Sequence, residues 1–280
     1  MCIRDSFAFE IIRGLREGHF ITRKPDGTWV STQVIQDVEV PSSVVDMVRA
    51  RLQDLTDEER ELLDVASCCG FEFDPRLVAD VVGLRPIPTL RAFGRMESRH
   101  RLVRSAGRRY AFDHHQVQEA LYLGLHDELR AEYHAAIGEA LERRAGIDPD
   151  DAEDVDGELA VDLCGHFLKG GRGDRARPYY KAAFTHLADG FLNDQAVKLA
   201  DRALAAPGML EGEERATVLL WKNQRLALLG RRAEQEETLA EALELAETLG
   251  SAAHLHSTRM DRGNLCWWTG RYDEACEEFE

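Results

Sequence analysis

The last third of the sequence has a repeating helix-pair pattern that restricts the fold more than any other feature. Small and aromatic residues occupy fixed places in the final pair, namely Gly263, Gly270, Tyr272, Ala275 and Phe279. Gly230 stands 40 residues before Gly270, at the turn of the preceding pair. A helix pair of this kind cannot bury its apolar face alone, so consecutive pairs must stack. The pattern therefore predicts a mainly α fold that ends in an α-solenoid over residues 158–280.

This spacing is typical of tetratricopeptide-like repeats, in which small residues let helices approach closely and aromatic residues fill the gap. Earlier pairs carry the same residue types less regularly: Gly171, Ala176, Tyr180, Ala183, Ala196, Ala200 and Ala203. In the final pair we expect Met260, Asn264 and Trp267 to lie on the inner helix and to line a groove for a protein or peptide. Such stripes are also typical of a buried core. Because Trp267 and Trp268 are adjacent, at most one is expected to face the groove while the other packs as core.

Residues 41–145 show a different order of elements. Helix starts are indicated by Pro41, by Thr56 followed by Glu59, by Asp74-Pro75 and by Pro88. Two short extended segments near residues 102–112 predict a hairpin, and two helices follow at 116–125 and 127–144. Three helices before a hairpin is the order of a winged helix, a variant of the helix-turn-helix. Another hairpin is predicted near residues 20–33, where Asp26-Gly27 suits a tight turn.

The charge balance restricts the setting in which this chain works. Its 280 residues include 51 acidic and 35 basic side chains, for a formal net charge of −16. No apolar run approaches the roughly 20 residues that span a bilayer, and no basic segment precedes an apolar one near the N-terminus. We expect a cytoplasmic protein with no membrane partner and with reduced, mostly buried cysteines, since no C-x-x-C occurs. Residues 146–157 carry carboxylates but no Lys or Arg, which predicts a solvated acidic linker.

Motifs for catalysis and cofactor binding are missing from the sequence. It contains no phosphate-binding G-x-x-x-x-G-K-[ST], no G-x-G-x-x-G, no H-E-x-x-H and no G-x-S-x-G. The pairs His114-His115 and His254-x-His256 are poor chelators, because adjacent or alternate residues on a helix point apart. We therefore expect neither catalysis nor a metal site in this chain.

A family resemblance is carried by four segments in chain order: FAFEIIRGLREGHFI, VEVPSSVVDMVRARLQDLTDEERELLDVAS, YAFDHHQVQEALY and GHFLKGGRGDRARPYY. Together with the hairpin they resemble bacterial STAND-type signal-transduction ATPases, over nearly all of residues 7–280. The resemblance implies that residues 7–40 are the C-terminal edge of an ATPase module whose core lies upstream. Both ends of the chain are abrupt, and we expect an internal fragment in which residues 1–6 are a non-native start.

The resemblance also implies a regulatory role. In such proteins the winged helix folds over bound ATP or ADP, and the repeat array senses a ligand or partner. The ATPase module would be a partner in cis, and the fragment itself would hold no cofactor. His114 best matches the family's phenylalanine-x-histidine pattern, which would place it at the nucleotide phosphate. The alternative, which the residues alone favour, is a hydrogen-bonded structural histidine that starts a helix.

The predicted fourth helix and wing are unusually basic. Residues 85–109 contain eight arginines and a single acid, Glu97. Those singled out as contacts to phosphate or to an acidic partner are Arg91, Arg95, Arg99, Arg101, Arg104 and Arg108. We expect the partner to be intramolecular, either the acidic linker or a carboxylate-rich face of the ATPase core. The leading function is thus a regulatory and sensing segment, and the alternative is a DNA-binding transcription regulator.

Overall fold

The computed structural model describes residues 21–23, 29–31, 52, 54–148, 152 and 155–280. Residues 1–20 and the helix expected from Pro41 lie outside this description, apart from Leu52. The short strands β1 (Ile21–Arg23) and β2 (Trp29–Ser31) pair antiparallel, with Thr22 opposite Val30, as predicted near residues 20–33. Everything from Leu55 onward forms a separate unit. Within the described ranges, no helix combines the length and the apolarity needed to cross a bilayer.

The second unit begins with a helix that is capped as the sequence predicts. Helix α1 (Asp57–Cys69) follows Thr56, whose hydroxyl accepts a hydrogen bond from the Glu59 amide at 3.2 Å. The Glu59 carboxylate in turn accepts from the Thr56 amide at 3.3 Å. This reciprocal capping box satisfies two of the amides that a helix start leaves without an intrahelical partner. A two-residue strand that was not predicted, β3 (Glu72–Phe73), comes directly after α1.

Prolines and glycines delimit the next helices. Helix α2 (Pro75–Val82) starts after Asp74 and ends at Gly83, which adopts a left-handed conformation with φ of 75°. Helix α3 (Pro86–Arg95) starts two residues earlier than the predicted Pro88. Both prolines fit in its first turn, where backbone amides have no intrahelical acceptor. A π-helical turn continues α3 over Met96–His100.

A three-stranded sheet and two helices complete this part of the unit. Strands β4 (Val103–Ala106) and β5 (Arg109–Phe112) form the predicted hairpin, and β3 pairs with β5, giving the order β3-β5-β4. Helices α4 (His115–Gly124) and α5 (Asp127–Ala145) follow. Phe73 anchors the core, because its ring lies 5.2 Å from that of Phe93 and 5.3 Å from that of Phe112. All three side chains are fully buried, and burying each one stabilises the fold by about 1.5–3 kcal/mol.

The remaining residues form seven helices in a continuous stack. They are α6 (Gly157–Lys169), α7 (Gly173–Asp189), α8 (Asn193–Ala205), α9 (Gly212–Leu229), α10 (Arg232–Leu249), α11 (Ala252–Trp268) and α12 (Tyr272–Phe279). Each helix from α5 onward packs against the next, and α6 also contacts α8 while α9 contacts α11. This is the nearest-neighbour packing of a tetratricopeptide-like α-solenoid. The predicted fold class is confirmed, whereas the domain boundaries at 145 and 158 stay predictions.

Small residues act in the stack as the sequence indicates. Gly230 ends α9 in a left-handed conformation, and Gly270 makes the turn before α12 with φ of 79°. Gly263 lies against the ring of Phe279, so closely that an added Cβ atom would overlap it. Gly138 of α5 approaches Phe167 of α6 in the same way, since a Cβ atom added there would lie only 2.8 Å from Cε1 of that ring.

The predicted acidic linker is not solvated throughout. Ala152 is buried, and Ile147 and Val155 are partly buried against the core of the repeats. Asp156 caps α6 by accepting hydrogen bonds from the amides of Glu158 and Leu159 at 3.1 and 3.2 Å. The charge count could not reveal these contacts, because three apolar residues among carboxylates are enough to fasten the segment to a neighbouring apolar surface.

Candidate functional site

The exposed side of α11 carries the three predicted groove residues. Its buried side consists of Thr258, Gly263, Leu265 and Cys266. At about 100° per residue, Met260, Asn264 and Trp267 fall on the opposite half of the helix. All three are exposed, with 57% of Trp267 accessible. Together with Trp268 they form what we call the Trp face.

Trp268 departs from the prediction. It was expected to pack as core if Trp267 faced outward, yet 75% of its surface is exposed. The reason is geometric, because successive residues lie about 100° apart and both tryptophans fit within the exposed half of the helix. Trp267 makes an edge-to-face contact with Tyr272 of α12, with ring centroids 5.1 Å apart. The Trp face thus presents two large aromatic side chains rather than one.

His114 lies immediately before α4, at the N-cap position. Its side chain makes no capping hydrogen bond and is 43% exposed. Nε2 lies 3.4 Å from a carboxylate oxygen of Asp113, and the neighbouring His115 stacks on Phe71 with ring centroids 3.8 Å apart. His114 therefore starts the helix, as expected, but its side chain does not bond to the helix's free amides. Contact with a nucleotide stays a prediction.

The six singled-out arginines lie along α3, the π-helical turn and the hairpin, and all are exposed. Only Arg95 has an ion-pair partner among the described residues, and that partner is Glu59 of α1, at 3.0 Å. Burial raises the pKa of Glu59, but hydrogen bonds from Thr56 and Arg95 outweigh it and hold that pKa below its usual range. The partner of Arg95 among the described residues is thus a carboxylate of α1, and pairing of the stripe with the acidic linker or with the ATPase core stays a prediction.

A cleft that the sequence analysis did not anticipate lies between the end of α1, α4, α6 and α8. It has a volume of about 520 Å³, and its lining includes three cations, Lys169, Lys198 and Arg202, and one carboxylate, Asp162. Lys198 pairs with Asp194 at 2.5 Å. Lys169 and Arg202 form no ion pair with any described residue, Asp162 included. Burial lowers the pKa of Lys169, and the charge of Arg202 lowers it further.

A chain of three side chains leads into this cleft. The Tyr122 hydroxyl lies 3.0 Å from Nε2 of His134, and Nδ1 of His134 lies 3.0 Å from Nδ1 of His166. Burial, together with nearby positive charge, lowers the pKa of each histidine to about 3. Both imidazoles are therefore neutral near pH 7, and one Nδ1 proton lies between them.

The direction of this hydrogen-bond chain follows from the hydroxyl proton. If Tyr122 donates to His134, then His134 donates through Nδ1 to His166, and His166 keeps its own proton on Nε2. This arrangement satisfies Tyr122 without a further acceptor, and no described residue bonds to Nε2 of His166. His166 lines the cleft. It can therefore present a neutral N–H donor there.

The described ranges hold no group of three or more His, Cys, Asp or Glu side chains that could bind a metal ion. His254 instead bonds to Thr217 and Ser251, at 3.0 and 2.9 Å. Burial raises the pKa of the Cys68 thiol, which lines the cleft, to about 12, so it adds no negative charge. No signal in the sequence joins the cleft residues, because they come from five helices that are spread along the chain.

The chain has little likeness to known proteins. No protein-family model matches the sequence, and no curated protein does. Among solved structures, the chain is similar to the Signal Transduction ATPase with Numerous Domains (STAND) protein with a tetratricopeptide repeat sensor from Pyrococcus horikoshii. The identity is 15%, the TM-score is 0.32, and the match covers 85% of this chain and 52% of that one. The chain thus spans about half the length of that protein. A likeness at this TM-score carries no functional argument, so function is argued from the chain's own residues.

Proposed function

We propose that this chain is a regulatory and sensing segment without enzymatic activity, and that its helical repeats bind a protein or peptide partner through the Trp face. The observation that carries the proposal is the exposure of two adjacent tryptophans beside Met260 and Asn264 on one helix of the repeats. Tryptophan is enriched among the residues that dominate interface energetics, because it buries a large area with few rotatable bonds.

The polar residue of the Trp face adds specificity to this binding mode. Asn264 can both donate and accept hydrogen bonds, which suits the backbone of an extended or helical peptide. Trp267 and Met260 would take an apolar anchor of the partner, since an aromatic ring beside a flexible thioether adapts to different side chains. Burying one tryptophan in a partner contributes on the order of 2 kcal/mol or more to binding.

In the same proposal, the winged helix responds to whether ATP or ADP is bound. The order helix, strand, helix, helix and hairpin between Asp57 and Phe112 supports a winged helix. His114, which is half-buried, would contact a phosphate of ATP or ADP, held by an ATPase module acting in cis. The winged helix would couple that contact to the repeats through α5, which packs on α1, on α2 and on α6.

A peptide-display selection tests the role of the Trp face. Peptides are selected on the native chain and counter-selected on the Trp267→Ala variant, and the affinity of the enriched sequences is then measured by fluorescence polarisation. Trp267→Ala is expected to weaken binding about tenfold or more. Phe191→Ala is the matched control, since Phe191 is an aromatic residue with 84% exposure outside α11. Equal binding to the native chain and to both variants would refute the proposal.

A second candidate function, DNA binding, is favoured by one specific observation. Five exposed arginines have no ion-pair partner among the described residues: Arg91, Arg99, Arg101, Arg104 and Arg108. The net charge of −16 opposes this function, because the mean field repels phosphate. Fluorescence anisotropy with duplex DNA at about 50 and about 200 mM salt separates the two functions. DNA recognition requires a steep salt dependence that decreases when Arg99, Arg104 and Arg108 are changed to Gln, and its absence excludes this candidate.

A further inference from the structure

The cleft between α1, α4, α6 and α8 contains two cations that form no ion pair with a described residue, although the charge of Asp162 on the same wall acts to raise the pKa of Lys169. Lys169 and Arg202 have no ion-pair partner among the described residues, although the chain carries 16 more acids than bases. Both side chains line the same cleft, and the charge of Arg202 adds to the burial that lowers the pKa of Lys169. Two like charges that line one open cleft repel each other, and an anion placed between them would attract both.

The helix dipoles alone do not explain why these two cations lie in one cleft. Lys169 lies in the last turn of α6 and Arg202 in the last turn of α8, where a cation interacts favourably with the helix dipole. That interaction explains a basic residue at each end, but not the convergence of both on one cleft. Lys198 provides the contrast, since it lines the same cleft with its charge satisfied by Asp194 at 2.5 Å.

The cleft supplies further groups that suit a bound anion. When Tyr122 donates to His134, Nδ1 of His166 accepts from His134 at 3.0 Å and Nε2 of His166 presents a neutral N–H donor. The Cys68 thiol stays protonated and adds no repulsion. Val161 and Leu187 contribute apolar wall, so the space of about 520 Å³ exceeds what a bare ion requires and matches a small organic molecule.

We propose that this cleft binds a small organic phosphate monoester, with Lys169 and Arg202 contacting the phosphate and His166 donating a further hydrogen bond. A phosphate monoester carries about −1.5 to −2 at pH 7, so one such group can contact Lys169 and Arg202 at the same time. Arginine matches two phosphate oxygens at once, and lysine acts as a compact point charge beside it. Asp162, on the same wall, suits a hydroxyl group of the organic part. The inference goes beyond the proposed peptide binding and does not depend on it.

Isothermal titration of the full chain with phenyl phosphate tests this inference. We expect saturable binding, weakened about tenfold or more by Lys169→Gln or Arg202→Gln, since each change removes a charge-assisted hydrogen bond. Arg202→Lys keeps the charge and is expected to retain part of the affinity. Arg91→Gln is the matched control, because it makes the same change in net charge at an unpaired arginine outside the cleft.

Measurements with two other anions identify the chemical group that the cleft recognises. Inorganic phosphate should compete with phenyl phosphate, and benzoate, with a single charge, should bind more weakly. The inference is overturned if phenyl phosphate does not bind, if Arg91→Gln weakens binding as much as Arg202→Gln, or if benzoate binds more tightly. Far-UV circular dichroism of each variant shows that a lost affinity is not lost folding. The titration contains no peptide, so a negative result in it does not bear on peptide binding by the Trp face.

Discussion

Two helical glycines on neighbouring helices should respond in opposite ways to the same substitution. Gly138 lies in α5 and Gly165 in α6. Replacing either by Ala favours the helix by about 0.5–1 kcal/mol, because the backbone loses less entropy on folding. At Gly165 the new Cβ atom has no neighbour within 4 Å, so Gly165→Ala should stabilise the protein by this full amount.

At Gly138 the same methyl group meets a packed ring. Its Cβ atom would lie 2.8 Å from Cε1 of Phe167 and 3.0 Å from two other ring atoms. Phe167 is fully buried and stacks on Tyr179 with an interplanar angle of 14°, so its ring has little room to move. Overpacking of this kind costs about 1–3 kcal/mol. Gly138→Ala should therefore lower the free energy of unfolding by up to about 2 kcal/mol after the helix gain is subtracted.

The difference between the two variants isolates the steric effect, because the helix-propensity gain is common to both. Urea unfolding followed by circular dichroism should place Gly138→Ala about 1–3 kcal/mol below Gly165→Ala. In thermal unfolding, each kcal/mol corresponds to about 2–4 °C for a unit of this size. If both variants are stabilised equally, the ring of Phe167 moves freely, and the close approach of α5 to α6 is not a packing constraint.

Three further predictions concern stability. Burial lowers the pKa of His134 and His166 to about 3, well below the unfolded value of about 6.5. The stability that the two neutral histidines contribute is therefore fully present above pH 6.5. It is lost as pH falls toward 3, and the free energy of unfolding drops by up to about 1.4 kcal/mol per pH unit for each histidine. Equal free energies of unfolding at about pH 7.5 and about pH 5.5 would contradict this. Thr56→Ala removes the cap of α1 and should cost about 1 kcal/mol in urea unfolding, whereas no loss would mean that the cap is dispensable. Gly263→Ala should cost less than Gly138→Ala, because the opposing ring of Phe279 is 43% exposed and can move aside, and a larger loss of Tm would refute this comparison.

Local structure followed the sequence closely wherever neighbouring residues control it. The capping box of Thr56 and Glu59, the helix end at Gly83 and the turn at Gly230 all depend on a few consecutive residues. The repeat pattern also predicted that small residues would let helices approach closely and that aromatic residues would fill the gap, and Gly263 does lie against the ring of Phe279. Strand β3 was missed because two residues are too short to show an alternating pattern.

The candidate sites were predicted only in part. Spacing on a single helix placed Met260, Asn264 and Trp267 on one face, but it did not reveal that Trp268 shares the exposed half of α11. Exposure depends on which neighbouring helices cover a face, and that is a property of packing rather than of periodicity.

The residue order alone predicts the helix pairs, their turns and the hairpins, because each is governed by interactions among residues close in the chain. The cleft with Lys169 and Arg202 and the hydrogen-bond chain from Tyr122 to His166 required the folded molecule. Their members lie on helices α4, α5, α6 and α8, and only the stacking of those helices brings them within contact. Charges and hydrogen bonds act over a few ångströms of space, whatever the separation along the chain.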